Sequence, residues 1–249
     1  MQRVRIYIVR HGETEYNVLH RFIGSTDKPL NERGCRQANC LRAPMSKLHL
    51  DAIYASPMMR TMMTACQIRG DRDMEIISVP GLREIDCGEW EGLSREEIQS
   101  RWPGMIDLWQ YRPDELRMPQ GETFEQVQQR GVEAFVALVK QNFGRDIAVA
   151  SHMLTIQLLM ARLLNVPIHN VWQMCRLENT SITSMDIWEN GEFEITKWGE
   201  CGHLPQELRN DNVKVAGFVT KEFSSEYDLI TVSGRRYFEP FQVDESIHS

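Results

Sequence analysis

The chain has 249 residues, 42% of them hydrophobic and 25% charged, with a formal net charge of -7. That is ordinary for a soluble globular protein and allows one large α/β domain or two small ones. No run of Lys or Arg supplies the basic footprint of nucleic-acid binding, and no apolar run approaches bilayer-spanning length.

The six cysteines (Cys35, Cys40, Cys66, Cys87, Cys175, Cys201) are scattered without a paired C-x-x-C. They read as free thiols of a reducing cytoplasm, and Cys201-Gly202-His203 is too sparse for a structural zinc site. The amino terminus runs into the first strand without a basic-then-apolar signal region, so a cytoplasmic location is expected. The acidic balance leaves room for a phosphorylated substrate, because that depends on local arginines and not on net charge.

Val4-Arg5-Ile6-Tyr7-Ile8-Val9 reads as a buried β-strand closed by Arg10-His11-Gly12-Glu13. In open α/β sheets the carboxyl ends of the strands are where ligands bind. A guanidinium beside an imidazole offers an anion clamp next to a nucleophile or base, and Gly12 lets the chain turn away. Residues 17–31 read as a long loop, after which Asn31 caps a helix to about Lys47. Asp51–Ala55 reads as a short strand. Ser56-Pro57 reads as a cap and first-turn proline opening a helix through Ile68.

Glu75–Val79 is a further strand. Ser94-x-x-Glu97 and Thr123-x-x-Gln126 are capping boxes, the second opening a helix with Val127, Gly131, Ala134, Phe135 and Leu138 at helical spacing. Asp146–Ala150 is the clearest internal strand, with a helix from about Leu154 behind it. Trp188–Phe193 forms a hairpin on an Asn190-Gly191 turn.

Alternation of strand and helix predicts a single three-layer α/β/α domain with a mainly parallel sheet over residues 1–204. A helical cap over about 89–121 is expected above the strand ends, with a C-terminal extension at 205–249. Short β-like runs at 213–223 and 227–241 make that extension either a hairpin covering a sheet edge or a dimer contact.

Two more segments share the geometry of the first. Val149-Ala150-Ser151-His152 ends a strand, and Arg60 lies in the first turns of the helix after Ala55. Two histidines and two arginines then converge on one edge, where helix N-termini add favourable dipoles. Phosphoryl transfer needs such a set, and Glu84, on an extended segment before Gly88, is the candidate acid.

Arg10-His11-Gly12-Glu13-Thr14-Glu15-Tyr16-Asn17 resembles the signature of the histidine phosphatase (phosphoglycerate mutase-like) superfamily. Agreement continues through Gly24-x-x-Asp27-x-Pro29-Leu30, Gly34-x-x-Gln37-Ala38 and Ser56-Pro57-x-x-Arg60-Thr61-x-x-Thr64-Ala65. Leu82-Arg83-Glu84-Ile85-Asp86-x-Gly88-x-Trp90-Glu91-Gly92, Gly121-Glu122-Thr123 and Ser151-His152 extend it over about residues 3–204. One R-H-G is weak evidence; this ordered set is strong.

The resemblance implies His11 as the nucleophile that becomes phosphohistidine and Glu84 as the acid for the leaving group. It implies Arg10, Asn17, Gly24, Arg60 and His152 as substrate-binding residues, with no metal or other cofactor. An imidazole with an ordinary pKa near 6.5 is free to attack at neutral pH. The expected activity is a metal-independent phosphomonoesterase of the phosphatase branch, acting on a small phosphorylated metabolite.

The alternatives are a cofactor-dependent phosphoglycerate mutase or a catalytically silent member that binds a phospholigand or protein. Mutases of the family carry a longer insertion between the acid and the second histidine. Sugar phosphates, phosphoglycerates, nucleotide-pathway intermediates and phosphoprotein side chains all stay open as substrates. A homodimer is one expectation for the assembly.

Two departures stand out. Met153 follows the second histidine where the family usually has glycine, and Ile23 replaces a polar residue before Gly24. The first is expected to alter a backbone approach to phosphate, the second to make the leaving-group side more apolar. His20, His49, His169, His203 and His248 read as loop or surface residues, and Met58-Met59 with Met62-Met63 as core packing.

Overall fold

The computed structural model describes residues 1–174, 177–209 and 236–241. Its strands are β1 (Arg3–Arg10), β2 (Ala52–Ala55), β3 (Ile76–Ser78), β4 (Asp146–Ser151), β5 (Ile182–Trp188), β6 (Glu192–Glu200) and β7 (Arg236–Tyr237). They form one sheet in the order β3-β2-β4-β1-β5-β6-β7. The β3-β2-β4-β1 half is parallel, and β5, β6 and β7 extend it antiparallel.

The helices are α1 (Glu15–Val18), α2 (Glu32–Asn39), α3 (Arg42–Ser46), α4 (Met59–Arg69), α5 (Arg95–Arg101), α6 (Met105–Tyr111), α7 (Phe124–Gln141) and α8 (Met153–Leu163). Side chains alternate faces along a strand, so a strand buried on both sides serves two cores. In β1, Val4, Ile6 and Ile8 join the main core with Phe135 of α7 and Leu158 of α8. Tyr7 and Val9 join a second core with Met45 of α3 and Ile68 of α4. β4 divides the same way, Ile147 and Val149 against Ala148 and Ala150. The three layers follow from that alternation.

Both capping boxes form, Ser94 with Glu97 on α5 and Thr123 with Gln126 on α7. The hairpin between β5 and β6 turns at Asn190-Gly191, with Gly191 at φ 86°. Asn31 caps α2 through a bond from the Gly34 N–H.

The expected helix to Lys47 is two pieces, because Pro44 has no N–H and its ring collides with the Cys40 carbonyl in a continuous helix. The loop expected from Asn17 starts with one helical turn, since Thr14 and Asn17 close a capping box around α1. The helix after β2 starts at Met59, with no side-chain cap from its N-cap residue Met58. Ser56 therefore does not open it. Asp27, from a distant loop, accepts the Met59 N–H at 2.7 Å instead.

The segment 88–111 carries α5, α6 and a 3-10 turn at Gly88–Trp90. It is joined to the 19–26 loop by Phe22 edge-on to Trp90 and Trp109, and by Arg21 paired with Glu97 at 2.9 Å. Met58 is buried, as expected of the methionine run, whereas Met59 is 47% exposed. Of the C-terminal extension, β7 pairs with β6, and Phe238 and Phe241 are buried beside Phe135 and Phe193. The β-like run at 213–223 and most of that at 227–241 lie outside the described residues. Cys35, Cys40, Cys66 and Cys87 are free thiols. No helix among the described residues is long and apolar enough to cross a membrane.

Candidate active site

Three parallel strands end side by side. Arg10 is in register with Ser151, and Ala55 with Ala150. Just beyond them, His11 N–H bonds Ser151 O at 3.0 Å and Ser56 N–H bonds Ala150 O at 3.0 Å. His11, His152 and Ser56 are thus neighbours because of sheet register. The two imidazoles stand 5.2 Å apart between ring centroids, at an interplanar angle of 59°.

His11 is 3% exposed, and its Nδ1 lies 2.6 Å from the carbonyl oxygen of Gly12. A carbonyl only accepts, so Nδ1 carries the proton and Nε2 keeps its lone pair. The loop is held on each side. The Gly12 N–H donates to Thr64 Oγ1 at 3.1 Å, and Asn179 Nδ2 donates to the His11 carbonyl at 2.9 Å. A Cβ on Gly12 would lie 2.6 Å from the Gly34 carbonyl oxygen, so the turn needs glycine.

Burial, then the nearby Arg60 and Arg10 charges, push the His11 pKa well below its ordinary value, against a smaller opposite effect of the Gly12 carbonyl. His152 is pushed down likewise by burial, then Arg60 and His11. Both rings are neutral at neutral pH.

Arg60 is fully buried. Its Nε donates to His152 Nδ1 at 3.2 Å, Nη1 to Thr26 O at 3.1 Å and Nη2 to Gly24 O at 2.9 Å. Arginine cannot accept, so His152 Nδ1 is the bare nitrogen. Its Nε2–H then donates to Ser56 Oγ at 2.7 Å. Ser56 is a site residue that a cap reading hides. Arg10 Nη1 donates to the Leu177 carbonyl at 2.5 Å.

The turn that receives Arg60 is itself clamped. Glu91 accepts from the Ser25 N–H at 2.6 Å, the Ser25 hydroxyl at 2.7 Å and the Thr26 hydroxyl. Gly24 sits at φ +49°, and a Cβ there would come within 2.4 Å of Glu91 Oε1. Its carbonyl touches Arg60, so the described contact of Gly24 is with a site residue. Asn17 Oδ1 accepts the Thr14 N–H and hydroxyl, both at 3.0 Å.

Glu84 lies on an extended segment that reaches the N-terminus of α8. Its carboxyl accepts from the Leu154 and Thr155 N–H groups at 3.3 Å each and the Ile85 N–H at 3.0 Å, and lies 3.1 Å from Thr155 Oγ1. An acidic side chain suits those unpaired helix N–H groups. Met153 begins α8 and packs, partly buried, against the main core. His203 Nε2 is 3.4 Å from Thr180 Oγ1, and the Thr180 N–H donates to the Arg10 carbonyl at 3.0 Å. Among the described residues no group of three or more His, Cys, Asp or Glu is disposed to hold a metal ion.

Residues 6–200 match the model of the histidine phosphatase superfamily, branch 1. The chain belongs to that superfamily. It is 33% identical over 189 residues to phosphoserine phosphatase 1 of Hydrogenobacter thermophilus, covering 75% of this chain and 89% of that protein. A probable phosphoglycerate mutase, GpmB, of Cronobacter sakazakii is 31% identical, over 81% of this chain and 95% of its own. Among solved structures, YhfR of Bacillus stearothermophilus matches with TM-score 0.77 and 33% identity, over 80% of this chain and 98% of its own. By membership and by its phosphatase-named relatives the chain is a phosphoric monoester hydrolase.

Proposed function

We propose that the chain is a metal-independent phosphomonoesterase that hydrolyses a small phosphorylated metabolite through a phosphohistidine on His11. The observation that carries this reading is the tautomer of His11. Nδ1–H is given to the Gly12 carbonyl, so the Nε2 lone pair is the one available to phosphorus. Arg10 and Arg60 offset charge developing on the equatorial oxygens. His152, with its Nε2–H turned from Ser56 Oγ to a phosphoryl oxygen, and the Asn17 amide nitrogen complete that set, and Gly24 acts by holding Arg60.

In the first step Nε2 of His11 bonds phosphorus while the P–O bond to the leaving group breaks. Glu84, as the acid, gives its proton to the departing oxygen. In the second step the Glu84 carboxylate takes a proton from water, whose oxygen attacks phosphorus. The N–P bond breaks, inorganic phosphate leaves, and His11 is again neutral.

Phosphoserine is the first substrate to test, because a relative at 33% identity bears that activity in its name. Phosphate release is measured from 4-nitrophenyl phosphate and a panel of phosphometabolites in EDTA, for wild type and His11→Ala. Release that survives EDTA and vanishes in His11→Ala is expected. A relative named as a mutase favours one competing outcome: phosphoglycerate interconversion after priming with 2,3-bisphosphoglycerate, without net phosphate release. A cytoplasmic homodimer belongs to the same reading, and sizing in solution tests the assembly.

A further inference from the structure

The segment carrying Glu84 is in no sheet ladder, yet its backbone polar groups need partners. Side chains of α7, β4 and α8 supply them. Ser151 Oγ donates to Leu82 O at 2.9 Å, and Thr155 Oγ1 to Arg83 O at 2.7 Å. Arg130, from the second turn of α7, takes most of the rest. Its Nη1 donates to Gly81 O at 2.9 Å and to Arg83 O at 2.7 Å, and its Nη2 to Glu84 O at 3.0 Å.

The remaining two N–H directions go to one carboxylate. Arg130 Nε reaches Glu122 Oε1 and Nη2 reaches Glu122 Oε2, both at 2.8 Å. All five donors of the guanidinium are therefore used. Glu122 also receives the Asp86 N–H at 2.9 Å and returns its own N–H to Asp86 O at 2.8 Å. The pair brackets Glu84, Arg130 from the Gly81 to Glu84 side and Glu122 at Asp86. Both are partly shielded, with side-chain exposures of 18% and 22%. The fork suits a bidentate carboxylate and three carbonyls at once, which a lysine cannot match.

We propose that Arg130 and Glu122 are positioning residues that hold the Glu84 carboxyl in reach of the departing oxygen. The proposal rests on the reading of Glu84 as the general acid. An acid matters most when the leaving oxygen is basic, so a misplaced acid penalises poor leaving groups selectively. A merely structural lesion lowers all esters together.

The test is kcat/KM for 4-nitrophenyl, phenyl and 4-methoxyphenyl phosphates, which reports transfer to His11, in wild type, Glu84→Gln, Arg130→Lys and Glu122→Gln. Thermal midpoints are recorded beside it, and Arg130→Lys is chosen over Arg130→Ala to keep the chain folded. The ratio of 4-nitrophenyl to phenyl phosphate is expected to rise about 100-fold in Glu84→Gln and about tenfold in Arg130→Lys and Glu122→Gln. If it rises in Glu84→Gln but stays at the wild-type value in both clamp variants, the proposal is overturned. If it is unchanged in Glu84→Gln as well, the acid assignment fails and takes the clamp with it.

Discussion

Arg60 Nε and His152 Nδ1 meet at 3.2 Å inside the fold, the guanidinium donating to the bare nitrogen of a buried ring. One arginine therefore fixes the tautomer of the second histidine while standing beside the first. Burial first, and then the positive charge of Arg60 and Arg10, keeps both histidines neutral, since protonating either would add a desolvated cation beside two others.

A pH dependence of stability follows. Unfolded, each histidine takes up a proton near pH 6.5, whereas folded it resists until well below that value. The unfolded state then binds more protons, so stability rises with pH in this window and is lost as pH falls below about 6.5. Each group contributes up to about 1.4 kcal/mol per pH unit there. Urea midpoints between pH 7.5 and 5 are expected to fall, and His152→Asn should flatten the slope. An unchanged slope in that variant would count against the assignment.

Ser56→Ala removes the acceptor for the buried His152 Nε2–H. Stranding that donor should cost about 1–3 kcal/mol in unfolding free energy. Activity is expected to drop about tenfold through a freed ring, a figure of the same order as one buried hydrogen bond. Were Ser56 only a helix cap, activity would hold.

The strand-end positions of Arg10, His11 and His152 are legible in the sequence because an apolar run followed by polar residues and glycine has one simple placement. Local devices are legible too, such as the capping boxes at Ser94 and Thr123 and the Asn190-Gly191 turn. Ser56 and Arg130 are not, because their partners lie far along the chain. Ser56 meets a ring 96 residues away, and Arg130 binds carbonyls 46, 47 and 49 residues before it. Ser-Pro is also a good local cap signal, and here the long-range bond won. Pro44 was the readable sign of the break between α2 and α3.

Glu91→Gln should loosen the turn whose carbonyls receive Arg60. A neutral amide keeps the size but weakens the bonds that Ser25 and Thr26 give to it. KM for 4-nitrophenyl phosphate is expected to rise about tenfold, the equivalent of about 1.4 kcal/mol, with a smaller change in thermal midpoint. A variant with wild-type KM and kcat would show that the clamp is dispensable.

Phe241 tests the C-terminal extension. The ring is fully buried against Phe135, Phe193 and Phe238, so Phe238 and Phe241 belong to the main core. Phe241→Ala should cost about 3–5 kcal/mol in chemical denaturation. A loss under about 1 kcal/mol would mean that this segment is not packed there in solution.

Rapid quenching after mixing with 32P-labelled substrate tests the covalent intermediate on His11 most directly. The expected result is stoichiometric label on the protein that is stable in base, lost in acid, mapped to the His11 peptide and absent in His11→Ala. Phosphate release at full rate with no labelled protein, or label on a different residue, would contradict it.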